Sequence, residues 1–211
     1  MILEYLTVGP FQENSYILAD SDSGEGILID PGHDPEAILD RVAELGIRIT
    51  AIVNTHAHID HVGGVPEIQR QLKIPFRLHA ADRPLLKALP QQAAMYGLPP
   101  LQVPEVESYL KGGDRFTVGT LEVEIIETPG HSPGSITLKV GDDLIAGDVL
   151  FAGSIGRTDL YGGDFGILKS SIRDALFPLG DHCRVWPGHG PETTIGEERR
   201  TNPFVGDGAP Y

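Results

Sequence analysis

The chain has little cysteine, little basic charge and no long apolar run, and each shortage removes a class of protein. Its one cysteine in 211 residues, Cys183, permits no internal disulfide. Placed in Cys183-Arg184-Val185-Trp186, it reads as a small buried residue of a strand rather than a nucleophile. Only 16 Lys and Arg stand against 30 Asp and Glu, a net charge of −14. That balance excludes nucleic acid as a partner, because phosphates need a basic footprint. No stretch approaches the ~20 apolar residues of a membrane span. No basic segment followed by an apolar one opens the chain, which starts strand-like at Met1-Ile2-Leu3-Glu4-Tyr5. No membrane partner is expected, and a cytoplasmic location is. No sequence repeat of fixed period is present.

What is there suffices for a sizeable core: 40% of residues are hydrophobic, and the length suits one large domain or two small ones. Apolar runs and alternation predict strands at 2–7, 14–19, 26–30, 48–53 and 76–79. Helices are expected at 35–45, with Asp34 as N-cap and Pro35 in the first turn, and at 65–72 and 81–88. Pro90, Pro99, Pro100 and Pro104 make 90–104 a loop, either an irregular connection or a lid. The second half repeats the plan, with strands at 106–110, 115–118, 121–127, 135–140, 143–147 and 183–186 and a helix at 165–177. This order points to an α/β fold, a four-layer αββα sandwich, although periodicity does not choose between it and other α/β arrangements.

The most informative stretch is Thr55-His56-Ala57-His58-Ile59-Asp60-His61, which follows the apolar run Thr50–Val53. His56 and His58 alternate on extended chain and point to one side, while Asp60 and His61 turn the corner before Gly63-Gly64. A polar surface loop rich in His is the plainer alternative. Against it, more ligand types follow at strand ends: His131 in Pro129-Gly130-His131, Asp148 in Gly147-Asp148 and His189 in Gly188-His189-Gly190. Glycine beside each lets the backbone turn and approach a bound group, and ligand sites collect at strand ends in α/β folds. Five His and two Asp can hold two divalent cations: His56, His58 and His131 on one, Asp60, His61 and His189 on the other. Asp148 is the choice to bridge them, since a carboxylate offers two oxygens. Zinc is the default, with iron or manganese also suited to imidazole and carboxylate. His33, His79 and His182 lack this context.

The order T-H-x-H-x-D-H, G-H-S, G-D, G-H across residues 55–190 resembles the metallo-β-lactamase fold superfamily. The resemblance implies the αββα sandwich, a one- or two-metal site at the sheet edge, and Asp30 as a carboxylate orienting a ligand His. Asp30 also reads as a turn-former before Pro31-Gly32. Two cations can share a hydroxide at neutral pH, which attacks a carbonyl with Asp60 and Asp148 in catalytic roles. No motif supplies a dedicated general acid, which favours a thioester over a peptide bond.

Within the superfamily, Phe151–Asp164 and Pro187–Phe204 resemble the short glyoxalase II (hydroxyacylglutathione hydrolase) branch. That branch implies thioester hydrolysis, with a small-molecule substrate such as S-D-lactoylglutathione. Arg157 and Tyr161 lie in the loop that there holds glutathione. Arg157 could bind a substrate carboxylate or pair with Asp159 or Asp164. The chain is expected to be one domain over 1–211 without the C-terminal helical glutathione-binding domain. The lid-like segment and the tail Arg199-Arg200-Thr201-Asn202 are candidates to compensate, by substrate contact or by packing in a homodimer. The rivals are a mononuclear iron persulfide dioxygenase and a lactonase of the same fold. A common β-lactamase is disfavoured by Asp148, and a structural metal module by seven ligands for two cations.

Overall fold

The computed structural model describes residues 1–209. Strands β1 (Ile2–Val8), β2 (Glu13–Ala19) and β3 (Glu25–Ile29) form an antiparallel meander. Helix α1 (Pro35–Leu45) crosses over to β4 (Arg48–Val53), parallel to β3. The single turn α2 (Ile59–Val62) and helix α3 (Val65–Leu72) lead to β5 (Phe76–His79). Helices α4 (Arg83–Lys87) and α5 (Leu89–Met95) precede β6 (Ser108–Leu110), which completes a six-stranded sheet in sequence order.

The second sheet takes β7 (Arg115–Val118), β8 (Leu121–Glu127), β9 (Ile136–Val140) and β10 (Asp143–Gly147) in antiparallel order. A small hairpin, β11 (Leu150–Phe151) and β12 (Ser154–Ile155), stands apart. Helix α6 (Phe165–Ser170) continues as a π-helical stretch, Ser171–Leu176. Strand β13 (Arg184–Pro187) then inserts parallel to β10, and β14 (Thr193–Thr194) and α7 (Ile195–Thr201) follow.

Period-two burial builds the layers. On β2, Tyr16 and Leu18 face the second sheet, packing with Val123, Ile125, Leu138 and Trp186. Ile17 and Ala19 face outward onto Ile38 and Val42 of α1 and Ile68 of α3. Beyond the second sheet, Leu144, Ala146 and Val185 meet Leu168 and Ile172 of the long helix. Three apolar seams separate four layers, so the expected αββα sandwich is the fold.

Two local expectations are corrected. Asp34 takes a left-handed backbone (φ 49°) and does not cap α1; its Oδ2 accepts from the Gly9 amide instead. Residues 89–95 are helical rather than loop, with Pro90 in the first turn, where its missing N–H has no helical partner to lose.

Candidate metal centre

All seven ligand candidates leave the same edge of the paired sheets. The buried run Ile52-Val53 carries β4 to that edge, and Asp30, His131, Asp148 and His189 follow β3, β8, β10 and β13. Asn54 donates from Nδ2 to the His61 carbonyl (2.6 Å), folding the turn back so that His61 faces His56. Close backbone approach demands glycine at two points. Gly147 has φ 51°, and a Cβ there would lie 2.2 Å from Thr55 Oγ1. At Gly188 a Cβ would lie 2.2 Å from Asp148 Oδ1.

The hydrogen-bond partners fix which ring atoms face inward. A carbonyl only accepts, so His131 Nδ1 donates to Arg157 O (2.8 Å) and His189 Nδ1 to Gln12 O (3.3 Å). Thr55 donates its one hydroxyl hydrogen to Asp30 Oδ2 (2.6 Å) and thus accepts from His56 Nδ1 (3.1 Å). His61 Nδ1 donates to the same Asp30 oxygen (3.0 Å). Four imidazoles are held with Nε2 turned to the centre, each by a partner on its other nitrogen. Asp30 orients His61 directly and His56 through Thr55, and its positive φ (51°) is also that of a turn.

Two groups of donor atoms result. His56 Nε2 and His58 Nδ1 lie 3.2 and 2.8 Å from His131 Nε2. Asp60 Oδ2 lies 3.3 Å from His189 Nε2 and 3.9 Å from His61 Nε2. Asp148 reaches both groups, with Oδ1 3.3 Å from His61 and Oδ2 3.6 Å from each of His131 and His189. His61 Nε2 and Asp148 Oδ1 are buried and make no hydrogen bond. Buried polar atoms are almost always partnered, so these lone pairs fit a cation.

Charge agrees. Burial pushes His56 well below its ordinary pKa and His58 down to about 4, so both rings are neutral at pH 7, the form that can offer a lone pair to a cation. Burial acts the same way on His61, but Asp148, Asp60 and Asp30 outweigh it and hold that ring well above its ordinary value. The second group therefore favours positive charge at its centre.

Several supports of the centre carry no signal in the sequence. Asp82, fully buried, accepts at Oδ2 from Ala57 N (2.9 Å) and Ser132 Oγ (2.8 Å) and at Oδ1 from Gly134 N (2.6 Å). It ties the His58 loop to the His131 loop, and burial raises its pKa. Asn14 donates to the carbonyls of Pro187 (3.1 Å) and Gly190 (2.9 Å), and Tyr16 to Pro187 (2.6 Å), so the first sheet clamps the His189 loop. Glu198 accepts from Gly153 N (2.9 Å), and Asn202 donates to Ser154 O (3.0 Å). The C-terminal tail thus props the β11–β12 hairpin after Asp148, and Arg200 is taken up by Glu197.

A cavity of about 520 Å³ opens beside His58, Asp60, His131 and Asp148, with Arg157 and Tyr161 in its wall. The Arg157 guanidinium makes a bidentate pair with Asp159 (2.7 and 2.8 Å), which holds that carboxyl down at about 2.

A family model described as the metallo-beta-lactamase superfamily matches residues 8–189. The chain belongs to this superfamily. A hydroxyacylglutathione hydrolase named GloC from Haemophilus influenzae is 36% identical, the match covering 97% of this chain and 98% of the relative. Among solved superfamily structures, BLEG-1, described as a B3 metallo-beta-lactamase, superposes with TM-score 0.90 at 38% identity, covering 97% of this chain and 99% of that one. A protein named TTHA1623, solved in a di-iron-bound form, superposes with TM-score 0.88 at 40% identity, covering 96% and 100%. The superfamily's metallo-hydrolases and the two donor groups agree on a centre able to hold two metal ions. Among the described residues no helix is long and apolar enough to cross a membrane.

Proposed function

We propose that this superfamily member hydrolyses a thioester, in the manner of a glyoxalase II-type enzyme, with two divalent cations held by His56, His58 and His131 and by Asp60, His61 and His189, bridged by Asp148. Zinc is the default metal, since three imidazoles in one group and two with a carboxylate in the other suit it and leave positions open, and the same donors also suit iron or manganese. The cations would supply Lewis acidity and bring the pKa of water down to about 7. The protein's part is positional: Asp30 and Thr55 aim His61 and His56, Arg157 O aims His131, and Asp82 locks the two loops together. Asp60, at the cavity wall, is placed to orient an attacking water.

One observation carries the choice of leaving group. Among the described residues lining the cavity, no histidine, lysine, cysteine or carboxylate lies outside the donor groups. The only other acids there are the Tyr96 and Tyr161 phenols at the exposed mouth, 46% and 64% exposed, so an amine would have to draw its proton from them, whereas a thiolate departs without one. The likeness to the Haemophilus hydrolase supports the same reading.

The test is free-thiol release from S-D-lactoylglutathione by protein with verified metal content. Metal-dependent release is the expected result. No release with thioesters, together with oxygen uptake on a persulfide, would replace the reading with a dioxygenase; turnover of lactones alone would replace it with a lactonase.

A further inference from the structure

The lining of the cavity beside the donor groups is mostly apolar. Asp60, Asp148, His58 and His131 share it with Leu85, Ala88, Met95, Tyr96 and Leu160. Arg157 is the only Lys or Arg among the described lining residues, and its Nε and Nη2 already donate to Asp159. A carrier bearing two carboxylates, such as glutathione, would find this one guanidinium, already paired with Asp159, for both of them and would approach a chain of net charge −14.

The apolar wall is braced. Gln92 donates to Leu85 O (2.9 Å) and accepts from Ile59 N (3.1 Å), so α4 and α5 are pinned to the turn that carries Asp60 and His61. Across the mouth, Phe11 meets Tyr96 edge to face at 5.1 Å between ring centres. Met95 is 79% exposed and Tyr161 64% exposed at this mouth. Large apolar side chains left in water around a concave site mark a surface that an apolar ligand covers.

We infer that this cavity selects a thioester, or related activated ester, with an uncharged apolar arm, the carbonyl lying over the donor groups and the arm along Leu85, Ala88, Met95 and Tyr96. This rests on the hydrolase reading and names its substrate class. Arg157 and Tyr161 then contact substrate through the guanidinium stem and the ring rather than through an ion pair.

The test is kcat/KM on two series with metal-loaded protein. One varies the acyl chain from two to eight carbons on N-acetylcysteamine; the other keeps acetyl and lengthens a neutral alkyl thiol. The rate constant should rise about two- to fourfold per methylene in at least one series until the cavity is filled. Ala88→Phe, on a half-buried wall position, should end that rise at a shorter chain. Met95→Asp, on an exposed one, should flatten it, with a loss that grows with chain length. Turnover that ignores chain length in both series, or a glutathione thioester outrunning every neutral one, overturns the inference while leaving the hydrolase reading intact. Turnover of no thioester at all sinks the hydrolase reading itself.

Discussion

Asp20 and Asp148 sit at opposite ends of the paired sheets, and their surroundings show how the same side chain serves two purposes. Asp20, only 3% exposed, accepts from Thr120 N (2.8 Å), Thr120 Oγ1 (3.1 Å) and Ser23 Oγ (3.1 Å) at Oδ2 and from Asp22 N (3.1 Å) at Oδ1. It staples the β2–β3 turn of one sheet to the β7–β8 turn of the other, and both oxygens are partnered. Asp148 faces three imidazole nitrogens, and its buried Oδ1 has no hydrogen-bond partner. A carboxylate with all its donors present holds the fold; one without them is kept for a ligand.

Removing each carboxylate in turn breaks or upholds this contrast. The largest effect belongs to Asp148→Ala: bound metal should fall and thioester turnover drop by more than about a hundredfold, since even partners of ligands cost about 10–100-fold. Its metal-free form should unfold at the same denaturant concentration as the parent or above it. Asp20→Ala should do the reverse, lowering the unfolding midpoint while metal content and turnover stay put. Parental metal and activity in the first, or lost metal in the second, would dissolve the distinction.

Asp82 falls between the two ends, because it is fully partnered yet lies against the donor groups. Asp82→Ala strands the amides of Ala57 and Gly134 and the Ser132 hydroxyl. It should cost about 2–4 kcal/mol in denaturant unfolding and weaken metal binding about tenfold or more. An unchanged metal affinity would show that the His58 and His131 loops hold their shape without it.

A finer test uses pH. The amides of Thr120 and Asp22 hold Asp20 down at about 2, below the ~3.9 of an unfolded chain. A depressed folded pKa gives stability that is complete above the unfolded value and is lost as pH falls through the folded one. The stability gap between parent and Asp20→Asn should therefore be constant from pH ~7 to ~4 and close towards pH ~2. A gap that persists at the acid end would mean that the hydrogen bonds do not depend on the charge. The smallest effect is reserved for Arg157→Ala, which should keep its metal and raise KM for an uncharged thioester only about two- to fourfold, the worth of about one methylene of stem contact. A large rise would give the guanidinium a direct role in binding.

Much of the fold and of the donor set is legible in the amino-acid sequence, and the rest is not for a physical reason. The layers follow from period-two runs such as Tyr16–Ala19, whose alternate residues enter different seams. The seven donor residues stand out because His and Asp beside glycine at strand ends are poor core residues and good ligands. Asp82, Asn14 and Glu198 do not stand out: the loops they hold through Ala57, Gly190 and Gly153 lie 25, 176 and 45 positions away, so only the folded chain shows what each one holds. Asp34 misleads because a helix-capping residue type is claimed by a distant amide, that of Gly9. For Arg157 the sequence offers both a substrate and a neighbour, and in the folded chain Nε and Nη2 pair with the neighbour, Asp159, while the residue still lines the cavity.

The most direct test of the central claim is a metal titration of chelator-stripped protein with bound equivalents counted. The account predicts two equivalents of divalent cation, with thioester hydrolysis appearing only as they bind. Binding of one equivalent or none, or hydrolysis that persists in the stripped protein, would contradict it.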